Sequence, residues 1–171
     1  MYQRCSAIAS ARWIGGLEDG RGTVSTPSGV LANTAYSFTT RFENAKGTNP
    51  EELVAAAHAG YFSMALCGEL GKLGFTPDSI ETKATLNFDR TDAGWTITTI
   101  HLDVAAKIPK AERVAFEKAA EAAKKGCPIP RLLNATITMS ARLVQPQPPN
   151  SIAFVMMPQS HTFWGFGFFV R

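Results

Sequence analysis

Charged residues are scarce in the sequence, and this scarcity argues against some classes of function. Charged residues make up only 18% of the 171 residues, and the net charge is +3. Binding to a nucleic-acid backbone needs a concentrated basic face that neutralises phosphates. The nearest candidates are lysines interleaved with acids, which is typical of a solvated helix face: Lys118, Lys124 and Lys125 beside Glu117 and Glu121. We therefore expect no nucleic-acid partner.

Cysteine is also scarce, with single residues at Cys5, Cys67 and Cys127. An odd number without short paired spacings argues against a disulfide scaffold, and without a Cys-x-x-Cys or His-x-x-x-His motif nothing points to zinc. The N-terminal segment lacks the continuous apolar run of a secretory signal. We therefore expect a cytoplasmic protein without a metal site, in which the role of redox catalyst is favoured over that of structural staple for a functional cysteine.

The composition predicts one globular domain followed by a tail. Hydrophobic residues make up 45% of the chain, and its length suits one domain with a substantial core. From Gln145 the composition shifts to proline and then to aromatic residues, so we divide the chain into a domain over 1–144 and an atypical tail over 145–171. Pro158 and its polar neighbours break the tail's apolar run, which argues against a membrane span. An idiosyncratic extension or translated scar is favoured, and a docking tail for a partner or a membrane surface stays open.

The pattern of apolar and turn-forming residues predicts an α+β fold. Its elements, in order, are an antiparallel β-meander, a long helix, a β-hairpin, a second helix and a final strand. The predicted strands lie near 7–13, 22–25, 36–43, 79–89, 95–106 and 135–144, and the predicted helices near 50–73 and 109–125. Asn49 and Pro50 are typical of a helix start, and Gly126 is typical of a helix end.

The first predicted helix is apolar around most of its circumference. We therefore expect it to be central and buried. Gly60 and Gly68 lie inside it, and each weakens a helix by about 1 kcal/mol relative to alanine. We expect these glycines to permit close packing.

Several motifs occur in an order that resembles a known family. They are GTVST at 22–26, TRFE at 40–43, GTNPEEL at 47–53, AHA at 57–59 with FSMAL at 62–66, and GCP at 126–128. The sequence resembles the family of osmotically inducible protein C and organic hydroperoxide resistance proteins (OsmC/Ohr), with the OsmC branch the nearer of the two. The resemblance covers about 1–144 and leaves the tail without a counterpart.

This resemblance implies a thiol peroxidase that reduces organic hydroperoxides and some hydrogen peroxide during oxidative and osmotic stress. The resemblance also implies an intertwined homodimer with two active sites at the subunit interface. A peroxidatic cysteine on the central helix attacks the peroxide and becomes a sulfenic acid. A resolving cysteine then closes a disulfide, which an external dithiol reduces, so no bound cofactor is implied.

The same resemblance assigns roles to residues of this chain. Arg41, on a predicted strand, matches the arginine that favours the thiolate, and Glu51 matches the carboxylate that orients it. Cys127 matches the resolving cysteine. The peroxidatic position holds Tyr61. A phenol, with an unperturbed pKa of about 10, is neither ionised at neutral pH nor able to accept oxygen as sulfur does. We therefore predict that peroxidase activity is severely reduced or lost.

Other residues leave alternatives open. Cys67 lies about 120° around the helix from Tyr61, which favours a buried, small hydrophobic role over a catalytic one. Cys127 could sustain slow single-thiol turnover. His58 lies about 20° around the helix from Glu51, and a satisfied packing role is favoured over that of a base. The alternative functions are a non-catalytic dimer that binds an apolar ligand or partner in the retained pocket, and a purely structural or defective product.

Overall fold

A computed structural model describes residues 6–133 and 135–144. Cys5 and the predicted tail lie outside these residues. The described chain contains six strands and four helices: β1 Ser10–Ile14, β2 Arg21–Ser25, β3 Thr34–Ser37, α1 Phe38–Phe42, α2 Pro50–Lys72, β4 Ser79–Thr91, β5 Gly94–Lys107, α3 Arg113–Gly126, α4 Pro128–Leu132 and β6 Thr136–Val144. The α+β class expected from the sequence is confirmed.

The strands form two three-stranded sheets. The first has the order β1-β2-β3, with both pairs antiparallel, and is the predicted meander. The second has the order β4-β5-β6, in which β4 and β5 form the predicted antiparallel hairpin while β5 and β6 run parallel. Parallel neighbours need a long crossover. The segment that contains α3 and α4 provides it.

The predicted strand over 36–43 is wrong in its second half. β3 ends at Ser37, and α1 begins there, because Ser37 and Thr40 form a capping box. The backbone N–H of Thr40 donates to Ser37 Oγ at 3.2 Å, and the backbone N–H of Ser37 donates to Thr40 Oγ1 at 2.9 Å. The aromatic and β-branched residues of this stretch are typical of strands, but the cap outweighs them. Arg41 therefore lies on a short helix, not on a strand.

The second predicted helix starts later than expected. α3 begins at Arg113 rather than near Pro109, because Lys110 has a φ of +63°, which a right-handed helix does not permit. The pattern of residues does not predict α4, in which Pro128 occupies the first turn.

One face of α2 provides much of the core. Asn49 caps this helix as predicted, since its Oδ1 accepts from the backbone N–H of Glu52 at 2.7 Å. The buried residues of α2 recur at a spacing of four, so they share one stripe: His58, Phe62, Leu66 and Leu70. This stripe packs against β4 and α3. Ser63 links the helix to the sheet through a hydrogen bond of 2.8 Å to Thr82 Oγ1.

The opposite face of α2 is exposed and apolar. Its members are small or hydrophobic residues: Ala57, Gly60, Tyr61, Met64, Cys67, Gly68 and Gly71. Tyr61 is 48% exposed and Met64 is 77% exposed. The expectation of a helix buried around most of its circumference is therefore wrong for the single chain. By length and composition alone, α2 could cross a membrane, although the core helices of water-soluble folds also meet that criterion.

Two expectations about small residues on this exposed face are also wrong. Cys67 is exposed rather than buried. A Cβ added at Gly60 or Gly68 would meet nothing within 4 Å in the described part of the chain outside its own helix turn. The glycines therefore do not serve close packing within the chain.

The buried stripe generates a stability prediction. Leu66 is fully buried, so Leu66→Ala should lower the free energy of unfolding by about 2–5 kcal/mol through lost burial and a residual cavity. Leu132 is 77% exposed, so the same substitution there should change that free energy by no more than about 0.5 kcal/mol. Urea unfolding followed by circular dichroism measures both, and equal losses would contradict the assignment of the core.

Candidate functional site

An ion pair joins α1 to the start of α2. Arg41 Nε donates to Glu51 Oε1 at 2.8 Å, and Arg41 Nη2 donates to the same oxygen at 2.5 Å. The Arg41 side chain is 31% exposed and that of Glu51 is 16% exposed. The second carboxylate oxygen, Oε2, is buried and has no partner among the described residues. The pair thus leaves one buried acceptor free.

Asn49 holds the two helices in this arrangement. Its Oδ1 caps α2, while its Nδ2 donates to the backbone carbonyl of Thr40 at 3.3 Å. One side chain therefore ties the last turn of α1 to the first turn of α2. The juxtaposition of Arg41 and Glu51 follows from this local sequence.

Aromatic rings surround the guanidinium of Arg41. Its Cζ atom lies 4.7 Å from the ring centroid of Phe88 and 5.0 Å from that of Phe42. Trp95 stacks on Phe88, with centroids 5.1 Å apart and an interplanar angle of 14°. The two distances from Arg41 Cζ to the rings of Phe88 and Phe42 lie within the range of cation–π attraction. Arg41 is therefore held by an acid and by aromatic faces.

Two cavities border the ion pair. One has a volume of about 470 Å³ and combines Arg41 and Glu51 with apolar walls from Val54, Trp95, Ile97 and Leu132. The other, of about 690 Å³, also contacts both charged residues and is more polar. These volumes are typical of small-molecule sites. The first cavity suits a ligand with an apolar body and a polar end.

The structure does not bring the four predicted site residues together within one chain. Tyr61 lies ten residues after Glu51 on the continuous helix α2, which is about 15 Å along the axis. Cys127 is fully buried at the junction of α3 and α4. Within residues 6–133 and 135–144, neither side chain forms a hydrogen bond with Arg41 or Glu51, and no group of three metal-ligating side chains occurs.

His58 packs in the core, as the favoured interpretation holds, but it is not satisfied. It is fully buried, and neither ring nitrogen has a hydrogen-bond partner in the described part of the chain. Burial lowers the pKa of His58 below its usual range, because the apolar surroundings disfavour the imidazolium. The side chain is therefore neutral at pH 7 in the folded chain.

The family motifs do not predict the aromatic part of the site. Phe88 and Trp95 lie far from Arg41 in sequence, and no motif marks them. One signal does exist. Apolar residues of β5 fall at even positions from Ile100 onward, whereas Trp95 and Ile97 fall at odd positions. This change of parity indicates an extra residue in the strand.

Comparison with known proteins agrees with this fold. The family model described as OsmC-like protein matches residues 43–142. The chain is 50% identical to peroxiredoxin OsmC of Escherichia coli (strain K12) over 133 residues, which is 78% of this chain and 93% of that protein. The chain therefore belongs to the OsmC-like family, and the resemblance noted in the sequence is confirmed.

Solved structures support the fold independently. The organic hydroperoxide resistance protein OhrB of Bacillus subtilis matches with a TM-score of 0.57 at 24% identity, covering 79% of this chain and 98% of that one. An OsmC-like protein of Vibrio cholerae O1 biovar eltor matches with a TM-score of 0.67 at 13% identity, covering 81% and 100% of the two chains. At these identities the matches establish the shared fold alone.

The buried histidine generates a pH prediction. The pKa of His58 is lowered in the folded chain relative to about 6.5 in the unfolded chain. Below pH 6.5 the unfolded chain therefore binds a proton that the folded chain does not, so stability should fall as pH falls, by at most about 1.4 kcal/mol per pH unit from this group. Urea unfolding between pH 7.5 and 5.5 should show this slope.

His58→Leu should flatten the slope. His101→Leu is the matched control, because the His101 side chain is 40% exposed and hydrogen-bonded to Thr138. An unchanged slope in His58→Leu would contradict the assignment.

Proposed function

We propose that this chain is an OsmC-type thiol-dependent peroxidase scaffold whose reduction of organic hydroperoxides is severely reduced or lost because Tyr61 occupies the peroxidatic position. Membership of the family and the 50% identity to a peroxiredoxin support the peroxidase type of function. The observation that carries the proposal is the intact Arg41–Glu51 pair in a chain whose motif has lost its thiol.

The missing step is defined by the chemistry of sulfur. A thiolate attacks one oxygen of a hydroperoxide, the O–O bond breaks, and the alcohol leaves after it takes up a proton. The sulfur becomes a sulfenic acid, and Cys127 would then condense with it, releasing water and forming a disulfide. An external dithiol would restore both thiols. The phenol of Tyr61 cannot form an equivalent of the sulfenic acid, so the cycle cannot begin at position 61.

A complete site requires two copies of the chain in this proposal. Because Arg41–Glu51 lies about 15 Å along α2 from Tyr61, the pair of one copy would serve position 61 of the other. The exposed apolar face of α2 supports this arrangement, since an apolar helix face that its own chain leaves uncovered favours association with a partner. We therefore propose a homodimer that buries this face.

The proposal also covers the location of the protein, its partners and its cofactors. We propose a cytoplasmic protein that spans no membrane, binds no nucleic acid and carries no bound cofactor. The apolar composition of α2 then belongs to the buried interface of the dimer rather than to a bilayer. Organic hydroperoxides and an external dithiol are the proposed partners of the ancestral reaction.

A second function is favoured by the cavities. The cavity of about 470 Å³ combines apolar walls with the charged residues Arg41 and Glu51. A retained pocket of this kind suits a non-catalytic dimer that binds an apolar ligand with a polar end. This alternative differs from the first in keeping ligand affinity without turnover.

Restoring the thiol tests the proposed function. Loss of a nucleophile costs on the order of 10⁶ in kcat in a well-characterised protease, so Tyr61→Cys should raise the rate of organic hydroperoxide reduction by about 10³-fold or more. The assay follows cumene hydroperoxide consumption with excess dithiothreitol. Cys127→Ser in the unaltered chain is the control, and it should leave the low background unchanged.

Two other outcomes are informative. Activity in the unaltered chain that Cys127→Ser abolishes would contradict the proposal, because Cys127 would then carry the chemistry. Saturable hydroperoxide binding without turnover, even in Tyr61→Cys, would favour the binding function.

The proposed interface has its own test. Gly68→Ala should weaken self-association, because the added methyl group enters a face that a second copy covers closely. If no second copy covers the face, the same change should instead stabilise the helix by about 1 kcal/mol, since a Cβ added at Gly68 has no neighbour within 4 Å in the described chain outside its own helix turn. Sedimentation velocity and urea unfolding measure both effects, with Gly126→Ala on α3 as the control. A stabilised, equally associated Gly68→Ala would overturn the interface.

A further inference from the structure

We propose that the free end of the β4–β5 hairpin is a positioning element, which holds the Arg41 guanidinium against Glu51 through Phe88 and Trp95. The catalytic meaning of this element rests on the proposed function, but the positioning itself does not.

The hairpin extends beyond the sheet. β6 pairs with β5 only over Thr99–Lys107, so the segments Phe88–Thr91 and Gly94–Thr98 form a two-stranded ribbon. This ribbon borders both cavities next to the ion pair. It can therefore contact Arg41 from a direction that α1 and α2 do not provide.

A β-bulge determines which side chains of the ribbon face Arg41. Asn87 pairs with Thr99, but the next residue, Phe88, pairs with Ile97, which leaves Thr98 as an extra residue. Thr98 Oγ1 donates to Asp89 Oδ2 at 2.5 Å, which fixes the bulge. A bulge reverses the alternation of side chains along a strand.

The reversal places an aromatic pair on the functional face. On β5, the core-facing residues that follow the bulge in the chain are even-numbered, such as Ile100 and Leu102. Beyond the extra residue, Ile97 and Trp95 point to that same side. Without Thr98 as an insert, Thr96 would take the place of Trp95 beside Phe88, and the stacked pair would not form.

The stacked pair closes around the guanidinium. The Phe88 ring centroid lies 4.7 Å from Arg41 Cζ, and the Trp95 ring stacks on Phe88 with centroids 5.1 Å apart. Trp95 also lies 5.4 Å from Phe42, and Phe42 lies 6.5 Å from Phe88, so the three rings form a closed cluster. α1 and the ribbon thus hold the cation jointly.

The ion pair alone does not fix Arg41. Its side chain is about one-third exposed, and water screens such pairs while the long side chain keeps its freedom. Both of its donors converge on one carboxylate oxygen, so the guanidinium could pivot about that point. Flat aromatic faces remove this pivot because they restrict the plane of the cation.

The direct test measures the mobility of the Arg41 side chain in the full-length chain, in the oligomeric state that the chain adopts in solution. In ¹⁵N-labelled protein, exchange of the Arg41 Nε proton with water reports its hydrogen bond to Glu51, and Arg41→Lys assigns the signal. Phe88→Leu should speed this exchange by about two- to fivefold. Phe88→Tyr keeps the aromatic face and should restore the parent rate.

Phe75→Leu is the matched control. Phe75 is also partly buried, but it packs against the core at the opposite end of α2 from Glu51. It should leave the Arg41 exchange rate unchanged. If Phe88→Leu exchanges like the parent, or if Phe75→Leu accelerates exchange equally, the proposal is overturned. Should Phe88→Leu fail to fold, Trp95→Leu replaces it, because Trp95 is 55% exposed and its loss costs less packing.

A second readout separates this inference from the proposed function. In the Tyr61→Cys background, Phe88→Leu should raise the apparent pKa of the thiol at position 61, seen in the pH profile of alkylation, because a mobile Arg41 stabilises the thiolate less. If Tyr61→Cys shows no peroxidase activity while Phe88→Leu still mobilises Arg41, the proposed function fails and the positioning element stands. An unchanged thiol pKa with mobilised Arg41 would overturn the catalytic role of the element.

Discussion

The ion pair between Arg41 and Glu51 is the interaction around which the candidate site of this chain is organised. It lies where the N-terminal meander, through α1, meets the long helix of the body. A charged pair at a partly exposed junction is weak by itself. It becomes a defined site because Asn49 ties the two helices together and because aromatic rings enclose the cation. Local backbone capping and distant side-chain packing thus converge on a single guanidinium.

The parts of the fold that local signals determine could be predicted from the sequence. The start of α2 follows from Asn49 and Pro50, and the hairpin and final strand follow from their alternating residues. α1 could not be predicted from composition, because its residues favour strands and only the reciprocal cap of Ser37 and Thr40 turns them into a helix. The family motifs gave Arg41 and Glu51. Phe88 and Trp95 could not be predicted because their packing near Arg41 joins elements that are far apart in sequence.

The long helix shows a further limit of sequence patterns. Apolar residues around its whole circumference predict burial but do not say which side its own chain covers. The structure divides them: Phe62 and Leu66 lie in the core, while Met64 stays exposed. Burial also carries a cost in this helix. His58 enters the core without a hydrogen-bond partner among the described residues, so the packing that buries α2 also removes an imidazole from water without replacing its hydrogen bonds.

The bulge at Thr98 makes the ribbon sensitive to the difference in length between its two strands. Removing or adding one residue on a single strand would exchange that strand's two faces, and Trp95 would leave the aromatic cluster. Adding one residue to each strand at the tip would instead lengthen the ribbon and keep every side chain on its face. The one-residue excess of β5 over β4 in this ribbon therefore carries structural information that no single residue identity carries.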